Sequence, residues 1–247
     1  MSLTVTEILG RSQEGQTRPY ICRCDDGEVY IVKGRSVPRY QLTAEWICAK
    51  LCTELGLPIA QYTMATVPVD IIEADLTGAY QDLGSGPVFA SHRVSAKNLM
   101  RMHIKRVPQT LRRDIVLFDW WVHNADRNLT EIGGNPNLLW SAGDPPAVVM
   151  IDHNLAFDAE FDQAEFLRLH VFSAEVPDLF SDFLLRDTYR TRLATALENW
   201  NGICDTLPED WYFIDTEKTM PANFPFDDIK RFLDRAITDA FWQLPPT

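Results

Sequence analysis

Up to about residue 90 the apolar positions come in short runs broken by turn residues, which predicts strands around a single helix. Tyr30-Ile31-Val32-Lys33 reads as a strand ending on a lysine, entered through the hairpin turn Asp25-Asp26-Gly27. A helical segment follows over 42–55 and exits at Gly56-Leu57-Pro58, with short strands expected at 62–69 and 88–90. The Gly- and Asp-rich stretch 78–86 reads as a surface loop. From about residue 96 the pattern turns helical. Leu111, Ile115, Leu117, Phe118, Trp121 and Val122 recur at the spacing of a core-facing helix over 111–122. Two apolar strands, 138–140 and 148–151, flank a tight turn at 141–146, and further helices are expected over 180–200 and 227–242.

A chain of 247 residues with 46% hydrophobic content buries a substantial core, as one bilobal domain or two intimate lobes, and is not a disordered protein. Its formal net charge of -12 repels polyanions and argues against general nucleic-acid binding. One local exception, Arg101, His103, Lys105, Arg106, Arg112 and Arg113, reads as a solvated helix face; the sharper alternative is a seat for an acidic peptide or a phosphorylated segment. Five cysteines lack Cys-x-x-Cys pairing and zinc spacing, so buried thiols in a reducing cytosol are expected. No run is apolar enough to span a bilayer, no leader pattern opens the chain, and a cytoplasmic protein without membrane contact is expected.

The candidate chemistry lies around the 138–151 hairpin. A polar loop carrying Asp126 precedes the first strand and the second ends on Asp152, which brings two carboxylates and a carboxamide to one end of a small sheet. Phosphoryl transfer uses that set: a carboxylate to orient and deprotonate the acceptor hydroxyl, and an Asn with a second Asp to hold Mg²⁺. Taken singly, each of these residues is an ordinary turn residue. The upstream order changes the weighing, because Lys33 ends a strand and Glu45 follows twelve residues later on a helix, the order of a kinase lysine and its glutamate. His123 and His153 flank the two aspartates; His123 reads as a structural donor and His153 as an orienting partner of Asp152. A metal hydrolase built on these four residues leaves Lys33 and Glu45 without a role.

Taken together, Gly15 to Pro19 before a strand, Asp25-Asp26-Gly27, Tyr30 to Lys33, Ala44-Glu45, Leu55-Gly56-Leu57-Pro58, Asn124-Ala125-Asp126-Arg127, Asn135-Pro136-Asn137-Leu138-Leu139 and Ile151-Asp152-His153 resemble the HipA-like kinases, specifically their compact single-domain relatives. The resemblance implies an α+β, bilobal protein-kinase-like fold over 1–247: a small β-rich N-lobe with one key helix and a hinge in 1–92, and a larger, mostly helical C-lobe in 93–247. It implies ATP and Mg²⁺ as cofactors and Lys33 on the phosphates with Glu45 as partner. Asp126 becomes the catalytic base, with Arg127 offsetting charge or bracing the loop. Asn135 or Asn137 takes one metal, with a lean to Asn135, and Asp152 takes the metals. The segment Phe89, Ala90 and Ser91 leads to the adenine, and the loop with Ser12, Gly15 and Thr17 covers the phosphates, with Ser12 or Thr17 an autophosphorylation candidate.

Three departures from the kinase pattern stand out. Position 131 is Glu where the metal Asn is expected, as if 129–134 held an insertion; Asp152-His153-Asn154 lacks the third-position glycine; and 10–19 is poor in glycine. The expected activity is transfer to a Ser or Thr hydroxyl of a protein, with a small-molecule phosphotransferase or a weakly catalytic nucleotide-binding regulatory module as alternatives. An antitoxin-like partner is an expectation from the family alone.

Overall fold

The computed structural model describes residues 2–12, 18–143 and 146–245. Two compact units emerge: 1–46, 60–95 and 207–224 form the first, and 47–59, 96–206 and 225–247 the second.

The first unit is a five-stranded sheet closed into a barrel. Strands β1 (Leu3–Arg11), β2 (Tyr20–Cys24) and β3 (Val29–Lys33) are followed by helix α1 (Arg39–Glu54), whose residues through Trp46 belong to this unit. Then come β4 (Tyr62–Val67), the short helix α2 (Val69–Glu73) and β5 (Gly86–His92). The order is β1-β2-β3-β5-β4, and a parallel pairing of Leu3 with Ala65 and Thr4 with Thr66 closes it. Period-2 burial drives this arrangement: Tyr20, Cys22 and Cys24 of β2 and Tyr30 and Val32 of β3 point inward, where they meet Val5, Ala65, Val67, Val88 and Ala90. The β2–β3 turn uses Gly27 at φ +85°, and the Asp26 carboxylate accepts bonds from the Glu28 amide at 3.0 Å and the Tyr30 hydroxyl at 2.7 Å. Segment 207–224 packs here as well, with the buried Trp211 indole donating to the Pro87 carbonyl at 3.1 Å.

The second unit begins with the last turns of α1, which end in a left-handed cap: Gly56 at φ +69°, with Leu57 N–H on Cys52 C=O at 2.9 Å and Gly56 N–H on Thr53 C=O at 3.0 Å. Cys48 and Cys52 share the buried face of this helix. Strands β6 (Lys97–Asn98), β7 (Leu138–Ser141) and β8 (Ala147–Met150) form a sheet in that order, with Leu138 opposite Met150 and Ser141 opposite Ala147. Helix α3 (Gln109–Trp121) buries Ile115, Val116, Leu117, Phe118, Trp120 and Trp121.

The remainder is helical: α4 (Gln163–Leu169), α5 (Val176–Ser181), α6 (Phe183–Glu198), α7 (Trp200–Asp205) and α8 (Phe226–Asp234). The helix expected over 180–200 is therefore interrupted. Asp182 ends α5 and caps α6, its Oδ1 accepting from the Leu184 and Leu185 amides at 2.9 and 3.1 Å. Likewise 227–242 is α8 followed by two 3-10 turns, Arg235–Ile237 and Asp239–Trp242. Among the described residues no helix is long and apolar enough to cross a membrane.

Candidate active site

In the first unit β3 ends on Lys33 and the first half of α1 carries Glu45. Both side chains are buried, and Nζ donates to Oε2 at 2.7 Å. A buried ammonium is tolerated only with a counterion in contact, so each residue accounts for the other. Ser12 closes the base of the β1–β2 hairpin, its amide donating to the Pro19 carbonyl at 2.9 Å. Gly15 and Thr17 lie outside the described residues. Phe89, Ala90 and Ser91 sit inside β5, paired to β3 on one edge and β4 on the other. They belong to the barrel wall: Phe89 stacks on Tyr62 with centroids 6.1 Å apart and meets Trp46 edge-on at 6.3 Å.

The second unit holds the candidate catalytic loop. Asp126 is partly exposed, and the buried Asn137 donates its Nδ2 to the Asp126 main-chain carbonyl at 3.1 Å and to Oδ2 at 2.9 Å. Two acceptors on one nitrogen fix the orientation of the amide, leaving Oδ1 facing away from Asp126. Asn135, by contrast, is exposed and occupied with Asn128: its amide donates to Asn128 Oδ1 and its carbonyl accepts from the Asn128 amide, both at 3.0 Å. The side chain that meets Asp126 is thus that of Asn137 and not that of Asn135. The extra residues fold out as a tight turn, with Thr130 N–H on Gly133 C=O at 2.9 Å, which returns the chain so that Asn137 directly precedes β7.

Asp152 lies two residues beyond β8 at φ +58°, and Asn137 has φ +45°. Such conformations cost a non-glycine residue about 1–3 kcal/mol and persist only where the surroundings over-determine them. Here the surroundings are visible. The Ile151 amide donates to the Asn137 carbonyl at 3.1 Å, and both segments converge on Arg127.

Arg127 is fully buried and acts as a clamp. Its NH1 reaches the carbonyls of Asn137, of Pro136 at 3.4 Å and of Ile151 at 3.4 Å; NH2 donates to His153 Nε2 at 3.0 Å; Nε donates to Asp119 Oδ2 at 2.6 Å. Asp119, on α3 and equally buried, also accepts from Asn124 Nδ2 at 2.8 Å and from His170 Nε2 at 2.9 Å. Since His170 Nδ1 accepts from the Phe172 amide at 3.1 Å, its proton sits on Nε2. Burial foremost, aided by the Arg127 charge, lowers the His170 pKa and keeps the ring neutral. Burial works to raise the Asp119 carboxyl, but the Arg127 charge and the hydrogen bonds from His170 and Arg127 outweigh it and hold it well below the usual carboxylate range. The guanidinium is thus neutralised internally and braces the loop on either side of Asp126. His123 takes no part in this network; its ring stacks on Phe161 at 4.1 Å.

Asp119 and His170 were not singled out by sequence. The available signal was a carboxylate at 119 inside the apolar run from Ile115 to Trp121, which a buried helix face admits only when it is paired.

Among the described residues no three His, Cys, Asp or Glu side chains gather into a preformed metal cage. Magnesium does not need one: it takes one or two carboxylates, keeps water, and completes its shell with phosphate oxygens. The donor set offered by Asn137 Oδ1 and Asp152 fits that chemistry.

No curated protein matches this chain by sequence. In structure it is similar to the Helicobacter pylori proinflammatory kinase CtkA, with a TM-score of 0.50 and 12% identity over 98% of this chain and 99% of that one. Two crystal structures of the Golgi casein kinase, one with Mn/ADP bound, align with TM-scores of 0.43 and 0.44 and 10% identity over 97% of this chain and 72% of theirs. The sheet with one helix followed by a mostly helical part is the α+β protein-kinase-like fold. The family profile described as HipA-like kinase matches residues 5–245, and the chain accordingly belongs to the HipA-like kinases, which are phosphotransferases.

Proposed function

We propose that this kinase uses ATP and Mg²⁺ to phosphorylate a Ser or Thr hydroxyl of a protein. The observation that carries the reading is the contact of Asn137 with both the backbone and the carboxylate of Asp126, which ties a metal-competent carboxamide to the candidate base. Asp126 orients the acceptor hydroxyl and takes its proton as the oxygen bonds to the γ-phosphorus and the bond to ADP breaks. Lys33, held by Glu45, contacts the phosphates of the donor. Asn137 and Asp152 would hold the metal, which would offset the charge on the phosphates. Arg127 and Asp119 keep the loop in place, so most of the rate enhancement comes from positioning and charge stabilisation. The partly exposed setting of Asp126, beside a turn that stands out in solvent, suits a polypeptide acceptor better than a small molecule, which needs an enclosing pocket. Ser12 and Thr17 are the candidate sites of self-modification.

The test is incubation with γ-labelled ATP and Mg²⁺, alone and with cell lysate, beside Asp126→Asn. Label on the protein itself or on a discrete lysate protein, absent in the variant, supports the proposal. Label that enters only small molecules, or a variant as active as the wild type, overturns it.

A further inference from the structure

Between Asp82 and Asp114 the chain, whose net charge is -12, carries no acidic residue at all. The structure divides the cations from Lys97 to Arg113 into two groups. Arg112 and Arg113 turn toward the buried Glu175, with Arg112 Nε on Oε1 at 2.7 Å and Arg113 Nε 3.6 Å from Oε2. Lys97, Arg101, Lys105 and Arg106 face solvent. The turn Arg101–Arg106 is pinned from beneath, because the buried His103 ring lies flat on Trp140 of β7 with centroids 4.6 Å apart and planes 5° apart. That anchoring leaves Met100 51% and Met102 75% exposed on either side of Arg101.

Arg101 in turn reaches Glu131 at 3.4 Å. Glu131 belongs to the turn that bulges out between Asp126 and Asn137, and its neighbour Ile132 is 100% exposed. Three large apolar side chains and a group of cations therefore share one surface next to the loop that carries the candidate base. The only described acidic side chain paired to it is Glu131 itself. Exposed apolar side chains gathered in one patch and rimmed by polar groups mark an interaction site.

We propose that this surface seats an acidic protein segment bearing a large apolar side chain, and that the segment belongs to the polypeptide whose hydroxyl Asp126 serves. The proposal rests on the protein-kinase reading above and adds a substrate class to it. Charge complementarity selects the occupant. At physiological salt the screening length is about 8 Å, so the local cations outweigh the distant negative charge for a short segment lying on them. A long polyanion would extend past the patch onto an acidic surface and be repelled. The Met side chains are adaptable and suit an apolar anchor of variable shape.

The experiment measures binding of fluorescein-labelled peptides by anisotropy without nucleotide: a Glu- and Leu-rich Ser peptide, its Lys- and Leu-rich counterpart, and single-stranded RNA. The proteins are the wild type, Lys97→Glu/Lys105→Glu and Met102→Ser/Ile132→Ser, all changes of exposed side chains. The acidic peptide should bind the wild type in preference to both other probes, and should weaken about tenfold or more in either variant. The charge-reversed protein should favour the basic peptide. Equal binding of all probes, tighter binding of RNA, no binding, or indifference to the variants overturns the inference. ATP-dependent thermal stabilisation and peptide-free self-labelling, read in parallel on the same proteins, report on the kinase reading separately.

Discussion

The Asn137 side-chain amide bonds the main-chain carbonyl and Oδ2 of Asp126 at 3.1 and 2.9 Å, while Asn135, two residues earlier, spends its backbone on Asn128. The two asparagines should therefore respond differently. Asn137→Gly, which keeps the positive φ accessible, should lower kcat by about 10²-fold, the scale seen when one preorganised polar group is removed from a reacting centre. Asn135→Ala should leave kcat near the wild-type value. Steady-state kinetics on both variants decides, and a loss confined to Asn135→Ala would return the metal assignment to Asn135.

Lys33 and Glu45 form a buried pair, and replacing a buried ion pair with apolar residues of similar volume is often neutral or stabilising. Lys33→Met/Glu45→Leu should therefore unfold in urea at or above the wild-type midpoint while losing phosphoryl transfer. Glu45→Leu alone, which takes the Glu45 carboxylate away from a buried ammonium, should cost about 3–5 kcal/mol. A double variant that remains active would remove Lys33 from the mechanism.

The Asp119–Arg127 pair behaves differently, because Arg127 has other tasks. Asp119→Leu leaves a guanidinium buried without its counterion and should destabilise the protein by about 3–5 kcal/mol in equilibrium unfolding. Asp119→Asn, which keeps shape and some hydrogen bonding, should be milder in stability yet still lower kcat more than it raises KM for ATP, because the displaced group is the brace of Asp126 and not a nucleotide contact. A change confined to stability, with kcat intact in the folded fraction, would make Asp119 purely structural.

His123 provides the acid limb. Burial foremost, with the nearby Arg235 charge, lowers its pKa from 6.5 to about 4. Between those values the unfolded chain binds more protons than the folded one, so stability rises with pH across the window and is lost as pH falls from about 6.5 toward 4. His123→Asn, tolerated at its φ of +51°, should flatten that part of the stability profile relative to the wild type, whatever it costs in packing against Phe161. Denaturant midpoints at several pH values provide the comparison; parallel profiles would assign the acid limb to other groups.

What could be read from the chain follows from how local the signals are. The β2–β3 hairpin, α3 and the β7–β8 hairpin are announced by period and turn chemistry within a dozen residues, and the sequence placed each of them. α1 was expected from 42 and starts at Arg39. The break at Asp182 is an N-cap inside what reads as one amphipathic run, a tertiary choice that a periodic pattern hides. The order of Lys33, Glu45, Asp126 and Asp152 was legible because motifs carry order. Which asparagine bonds Asp126 was not, since it turns on how 130–133 folds. Asp119 and His170, 51 residues apart, meet only through the packing of α3 against the segment that follows α4.

The placement of 207–224 in the first unit has a consequence for how the protein is made. The barrel strands are all synthesised by residue 92, yet the Trp211 indole that bonds Pro87, and the Phe224 ring that meets Tyr40 at 4.8 Å, emerge more than a hundred residues later. At about 5–20 residues per second the nascent chain waits on the order of ten seconds for them. The strands thus leave the ribosome well before the segment that completes their packing, and a fragment ending at residue 95 would hold them without the tryptophan that bonds Pro87.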